Sequence, residues 1–258
     1  MTLTALIITL NEKDNIRDCL SSVSGWVDEI YLLDSGSTDG TLDIAREMGA
    51  RVEVHPFDSY AAQKNRGIER SSGDWVLIID ADERVSPDLR DSILRLMAEG
   101  PKADVYRMER WNWFFGCRVR YGGSGRNIVI RLVRREKGRY TDLSIHEKLD
   151  MAGLSVGWLD GPLRHYTQAT LHVFFSKTAQ YAELGARDRA RRGVRGSFFR
   201  MALRPCWRFF RMYLIQRGFL DGALGLALAG FNAAGVLARE LRLYQLSREP
   251  HDQRLDPN

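Results

Sequence analysis

Apolar and polar positions follow two rhythms along the first hundred residues. Short, nearly unbroken apolar runs recur at residues 3–10, 29–33 and 75–79, with a shorter alternating run at 51–55. Between them, apolar residues fall three and four apart, as in Ile16, Cys19, Leu20 and Val23. The first rhythm predicts buried strands and the second amphipathic helices, over 15–23, 41–48, 60–69 and 87–98. The turn Ser37-Thr38-Asp39-Gly40 caps the second helix, and Ser86-Pro87-Asp88 opens the fourth with proline near its start. Strands that are apolar throughout, alternating with helices, imply an α/β fold. Its central sheet is expected to be mostly parallel and covered on both faces by helices. Ligands of such sheets sit at the carboxyl ends of the strands.

The pattern changes after residue 104. Val105-Tyr106-Arg107-Met108 and Ile128 to Val133 read as strands. Between them lies an aromatic loop, Trp111-Asn112-Trp113-Phe114-Phe115-Gly116, running on to Tyr121-Gly122-Gly123-Ser124-Gly125. Everything after Thr170 reads as helix, with neither an internal repeat nor a low-complexity tract. The expected organisation is a unit over 1–168, divided near residue 100, a helical region over 169–247, and a flexible tail over 248–258.

With 258 residues, 44% hydrophobic and 28% charged, the chain can bury a full core, which argues against disorder before the tail. Cys19, Cys117 and Cys206 are odd in number and far apart. That excludes a disulfide framework or zinc ribbon and fits a reducing compartment. The first ten residues lack a basic leader and a small-residue cleavage site, and read as a strand rather than a signal peptide.

Candidate chemistry centres on Asp80-Ala81-Asp82-Glu83, which follows the apolar run Trp75 to Ile79. Two carboxylates one residue apart at the end of a buried strand suit a hard cation, Mg²⁺ or Mn²⁺, shared with a diphosphate. A lone pair of this kind is common in surface turns. Here the preceding strand, the following helix start and a second acidic turn at Asp34 support it.

Six segments in order carry a resemblance to the inverting glycosyltransferases of family 2, which have the nucleotide-diphospho-sugar transferase (GT-A) fold. They are Thr9-Leu10-Asn11-Glu12, Asp34-Ser35-Gly36-Ser37-Thr38-Asp39-Gly40-Thr41, Ala61-Ala62-Gln63-Lys64-Asn65-Arg66-Gly67, Gly73-Asp74, Asp80 to Glu83, and Ile145-His146-Glu147. The later segment Arg217-Gly218-Phe219-Leu220-Asp221-Gly222 is similar to a bacterial subgroup that adds a β-glucosyl unit to the lipopolysaccharide inner core. The match departs at Lys64, where many members carry arginine. Lysine meets a diphosphate as a point charge, without the bidentate fork.

The resemblance implies a metal-dependent transfer of a hexose from a nucleotide-diphosphate sugar, UDP-glucose on the subgroup match, to a lipid-linked saccharide. Residues 101–168 would form the acceptor-binding half. Asp34, Asn11 and Glu12 would meet base and ribose, Lys64 the diphosphate, and Asp80 the ribose or the back of the metal ligand. Asp82 would hold the cation, with His165 completing its shell. Glu147 would take the acceptor proton, with Asp142 in reserve and His146 orienting it. Each has a plainer alternative: turn or helix capping for Asp34, Asn11 and Glu12, a solvated lysine for Lys64, and a surface pair for His146 and Glu147. His165 equally suits a structural role at a sheet edge. Glu83 either orients Asp82 or begins the next helix. Trp111, Trp113, Phe114 and Phe115 either stack on a sugar or pack a core.

Net charge is +5, unevenly spread. Ten arginines fall between residues 187 and 217, joined by Lys177 upstream, against the single acid Asp188. They alternate with Phe198, Phe199, Trp207, Phe209 and Phe210, a mixture suited to an anionic membrane surface. No nucleic-acid motif accompanies them. The apolar stretch 220–238, interrupted by Asp221 and Asn232, reads as an interfacial or re-entrant element rather than a span. A helical hairpin packed on the sheet is the plainer alternative. The expected location is the cytoplasmic face of the cell membrane, peripheral or monotopic. A sugar-nucleotide-forming nucleotidyltransferase is disfavoured because no glycine-rich basic loop follows the first strand, and a Rossmann dehydrogenase because G-x-G-x-x-G is absent. A catalytically silent membrane-binding module is opposed by the intact acids.

Overall fold

A computed structural model describes residues 1–141, 148–167 and 170–248. Glu147, His146 and Asp142 lie outside the described residues, as does nearly all of the expected tail. Two compact units emerge. The first comprises Met1–Trp111 and Asn127–His165; the second comprises Asn112–Arg126 and the described residues from Tyr166 onward.

In the first unit, β1 (Leu3–Thr9), β2 (Glu29–Asp34), β3 (Arg51–Val54) and β4 (Trp75–Asp80) alternate with α1 (Lys13–Val23), α2 (Thr41–Glu47) and α3 (Tyr60–Arg70). There follow β5 (Glu83–Val85), α4 (Pro87–Glu99), β6 (Val105–Phe114, whose end belongs to the second unit together with β7, Cys117–Arg118), β8 (Arg126–Arg134), the short pair β9 (Tyr140–Thr141) and β10 (Lys148–Leu149), and β11 (Val156–Tyr166). The main sheet runs β3-β2-β1-β4-β8-β6-β11-β5. It is parallel from β3 to β4, but β8 pairs antiparallel with β4, and β5 antiparallel with β11. The expectation of a mostly parallel sheet therefore holds for the first half only, and the whole sheet is mixed. After α4 the chain returns without the strand–helix alternation that parallel pairing needs.

Helix boundaries follow from the local sequence. Ser59 accepts a hydrogen bond from the Ala62 N–H at the start of α3. Ser86 accepts one from Leu89 N–H at the start of α4, where Pro87 loses nothing by lacking a donor. The sheet faces divide cleanly. Ala5, Ile7, Leu77 and Ile79 pack with Ile16, Leu20, Leu89 and Ile93 of α1 and α4. Leu6, Val76 and Ile78 pack on the other side with Ala61 and Ile68 of α3. Each fully buried leucine, isoleucine or valine among them contributes about 1.5–3 kcal/mol, which fixes the strand register. A one-residue slip would turn every one of them to the opposite face. That register sets Thr9 beside Asp34, and Ile8 beside Asp80. The loops bearing Asn11, Asp34 and Asp80 thus leave the sheet at one edge.

The second unit is helical: α5 (Leu171–Arg191), α6 (Phe198–Phe210), a π-turn over Arg211–Ile215, a 3-10 turn over Gly218–Asp221, and α7 (Gly222–Leu246). Phe114 and Phe115 pack here against Val119, Phe174 and Leu228, so core packing is their role. Trp113 stacks on Tyr166 with ring centroids 5.1 Å apart. The segment Arg217 to Gly222 is a tight junction. Arg217 has φ 58°. The Asp221 carboxylate accepts the backbone N–H groups of Arg120 and Tyr121, the latter at 2.8 Å.

Candidate active site

The loops after β1 and β2 are stitched together. Asn11, itself at φ 54°, donates its N–H to Ser37 Oγ at 2.7 Å and accepts the Thr38 N–H at 2.9 Å. The Glu12 N–H donates to Thr41 Oγ1 at 2.9 Å, and Lys13 N–H to Asp39 at 3.0 Å. Asp34 is fully buried. Its carboxylate accepts the N–H groups of Gly36 and Ser37 and the Ser37 hydroxyl, at 2.7, 2.6 and 2.5 Å. In this structure Asp34 builds the turn, and a nucleotide base would have to share those acceptors.

The turn after β4 separates two acids into different surroundings. Asp80 pairs with Arg131 of β8 at 2.5 Å. Arg131 reaches the fully buried Glu83 at 2.7 Å, and Arg110 of β6 reaches Glu83 at 3.2 Å. Glu83 also accepts the Asp80 N–H at 3.0 Å. It begins β5 and clamps the turn, rather than opening the next helix. Burial alone would raise the Asp80 carboxyl, but Arg131, then Lys64, hold it well below the usual carboxylate range. Burial likewise opposes the Arg131 charge, and Asp80 and Glu83 overcome it, raising its pKa well above normal. Lys64 is only 5% exposed, with its ammonium 5.1 Å from the Tyr140 ring centroid, which rules out an ordinary solvated lysine.

Asp82 projects elsewhere. Its Oδ2 lies 3.2 Å from His165 Nε2 on β11. Antiparallel pairing sets His165 opposite Glu83 and so brings the ring to the turn. Both side chains are partly open to solvent. Among the described residues no three His, Cys, Asp or Glu side chains gather as a closed metal cage. Two ligands about 2.0–2.2 Å from one octahedral ion lie about 3 Å apart, and Mg²⁺-type ions keep their other positions for water and phosphate. The spacing of this pair fits such an ion; the carboxylate suits Mg²⁺ or Mn²⁺, and the imidazole nitrogen suits Mn²⁺ better than Mg²⁺. The sequence pattern had pointed to Asp80, Asp82, Lys64 and His165, which the fold gathers near one turn. It missed Arg131 and Arg110. The available signal was an arginine inside the apolar run Ile128 to Val133, where a buried charge demands a partner.

A parallel half joined to an antiparallel half, with acids at the shared strand edge, is the architecture of the GT-A fold of glycosyltransferases. The family model described as Glycosyl transferase family 2 matches residues 4–142, and the chain belongs to that family. Over 257 residues it is 31% identical to the lipopolysaccharide core biosynthesis glycosyltransferase LpsC of Rhizobium meliloti, covering 93% of each chain. It is 28% identical over 256 residues to the uncharacterized glycosyltransferase RT0209 of Rickettsia typhi, covering 95% of this chain and 87% of that one. The fold is similar to that of glucosyl-3-phosphoglycerate synthase from Mycobacterium tuberculosis in complex with phosphoglyceric acid. The TM-score is 0.50 and the identity 19%, covering 76% of this chain and 81% of that one.

Proposed function

We propose that this transferase is metal-dependent and inverting. It moves a hexose from a nucleotide-diphosphate sugar, UDP-glucose on our reading, to a lipid-linked saccharide such as the lipopolysaccharide inner core. The observation that carries the reading is the pairing of Asp82 with His165 at 3.2 Å, beside an Asp80 already neutralised by Arg131. The division leaves one carboxylate to hold a cation and the other to shape the turn. Similarity to LpsC over nearly the whole chain supports the saccharide acceptor.

Asp82 and His165 would hold Mg²⁺ or Mn²⁺, whose contribution when bound is to offset charge on the departing diphosphate. Lys64 adds a second positive charge for that group. Asn11 and Glu12 border the base and ribose, Asp34 holds the loop that lines them, and Asp80 stands on the ribose or behind Asp82. Inversion needs one in-line displacement, with a base on the acceptor side taking the hydroxyl proton as the new bond forms. Glu147 is assigned that role on sequence grounds, with Asp142 in reserve. The protein works at the cytoplasmic face of the membrane, peripheral or monotopic. Support comes from the basic aromatic helices and from Gly218–Leu246, a helical stretch long and apolar enough to cross a membrane. Asn232 and Glu240 within that stretch favour an interfacial position over a span.

The test is transfer from a panel of radiolabelled sugar nucleotides to purified lipopolysaccharide core acceptors, with and without Mn²⁺. Transfer from UDP-glucose that disappears with chelator and in Asp82→Ala supports the reading. Metal-independent transfer, or none from any donor with any core acceptor, rejects it.

A further inference from the structure

Helix α6 is amphipathic in an unusual sense. Its exposed positions are Phe198, Phe199, Ala202, Leu203, Cys206, Trp207 and Phe210, all apolar. Phe199 is 74% exposed, Leu203 66% and Trp207 57%. Its arginines face the other way, and the cause is a single carboxylate on α7. Glu240 is 1% exposed and is met by Arg204 at 3.0 Å, by Arg189 of α5 at 2.9 Å and by Arg239 at 3.3 Å, with Arg200 at 3.9 Å. Arg208 donates to Asn232 at 3.2 Å. Polar contacts thus lock the arginine face inward and leave the aromatic face out. The exposed face continues through Leu214 and Ile215 of the π-turn.

We propose that α6 and the π-turn after it form a monolayer-inserting segment. It lies flat in the headgroup boundary of an anionic bilayer with the Phe199, Leu203, Trp207 and Phe210 face immersed. The inference deepens the proposed function by naming the surface that meets the membrane, and it rests on that reading for the acceptor's location. Charge chooses the occupant. Exposed Arg191, Arg192 and Arg195 precede the helix, and exposed Arg211 and Arg217 follow it, so basic groups flank the apolar face at both ends. Anionic headgroups complement that arrangement, while the apolar face enters the acyl boundary. A second copy of the chain docked on this face would set the flanking exposed arginines, Arg191, Arg192, Arg195, Arg211 and Arg217, against basic groups of the same sign across an isologous contact.

The test uses the full chain with Cys117→Ser and an environment-sensitive fluorophore on exposed Cys206. Expected are a blue shift and co-flotation with phosphatidylglycerol/phosphatidylethanolamine vesicles. Both weaken in salt and are weaker on pure phosphatidylcholine. Phe199→Glu/Leu203→Glu lowers partitioning about tenfold or more, and Trp207→Ser reads the same loss should the double variant fail to fold. Wild-type flotation of a folded variant overturns the proposal. So does a blue shift that follows protein concentration and a doubled mass in light scattering rather than lipid. UDP binding intact in the α6 variants, and flotation intact in Asp82→Ala, keep this inference separable from the transferase reading.

Discussion

Asp82 Oδ2 and His165 Nε2 stand 3.2 Å apart because antiparallel pairing of β11 with β5 returns a late histidine to the turn after β4. Both side chains are partly open to solvent, so removing either partner should be well tolerated by the fold and poorly tolerated by the reaction. Asp82→Ala and His165→Ala are each expected to lower kcat/KM about 10²–10³-fold, the scale of losing one charge-stabilising group at a reacting centre. Calorimetry should show Mn²⁺-dependent UDP affinity falling in both, with thermal stability near wild type. Unchanged metal dependence in His165→Ala would remove the histidine from the ion's shell.

Arg131 behaves differently, since it holds two buried or half-buried carboxylates at 2.5 and 2.7 Å. Arg131→Met leaves Glu83 with Arg110 alone and Asp80 with no guanidinium. Breaking a buried pair from one side costs about 3–5 kcal/mol. Urea denaturation should report that loss, and the turn bearing Asp82 should lose activity with it. Arg131→Lys keeps the charge but not the fork, and should fall between the two.

Much of the first unit was legible in the sequence. The strand–helix rhythm located β1 to β4 and α1 to α4 because packing on both faces demanded it. The rule that ligands sit at carboxyl strand ends then gathered Asn11, Asp34 and Asp80 on one edge. What was not legible depends on partners distant in sequence. Glu83 reads as a helix start until Arg131 and Arg110 are seen around it. Phe114 and Phe115 read equally well as a sugar platform until Phe174 and Leu228 pack on them. Arginines three and four apart on α6, interleaved with aromatics, read as a charged face turned to an anionic membrane surface. A single buried carboxylate on another helix reverses that reading, and no local periodicity reveals it.

Acid should destabilise the first unit through Glu29. Burial tends to raise its carboxyl, but the Ser72 N–H, the Thr4 hydroxyl and the Arg51 guanidinium together lower it below the ordinary 4.5. A carboxylate depressed by folding contributes stability above its unfolded pKa. That contribution is lost as pH falls through the folded value. Denaturation midpoints are expected to be flat near neutrality and to fall below about pH 4.5. Glu29→Gln should be less stable at neutral pH and show a shallower acid decline. An equally steep decline in the variant would place the acid sensitivity elsewhere.

Thiol chemistry distinguishes the cysteines. Cys19 is fully buried beneath Asp80, whose carbonyl it faces at 3.7 Å, and burial pushes its thiol far up. Cys117 and Cys206 are exposed. A maleimide should label Cys117 and Cys206 in the native protein, and Cys19 only after denaturation. Fast native labelling of Cys19 would show that α1 opens far more readily than its packing implies.

Glu240 supplies the sharpest test of the helical unit. One carboxylate faces Arg189, Arg200, Arg204 and Arg239, so Glu240→Gln leaves several guanidinium groups repelling one another with no counter-charge. The expected cost is about 3–5 kcal/mol, the penalty for unpairing a buried charge. The cause is repulsion rather than a lost contact, so a second change should repair part of it. Arg204→Met in the Glu240→Gln background removes one cation and substitutes a side chain of similar length. The pair should therefore be more stable than Glu240→Gln alone, even though Arg204→Met destabilises the wild type. Thermal melts of the two single variants and the double variant form the cycle that measures this coupling. Simple additivity would mean that the arginines are independently solvated and that Glu240 does not set the orientation of α6.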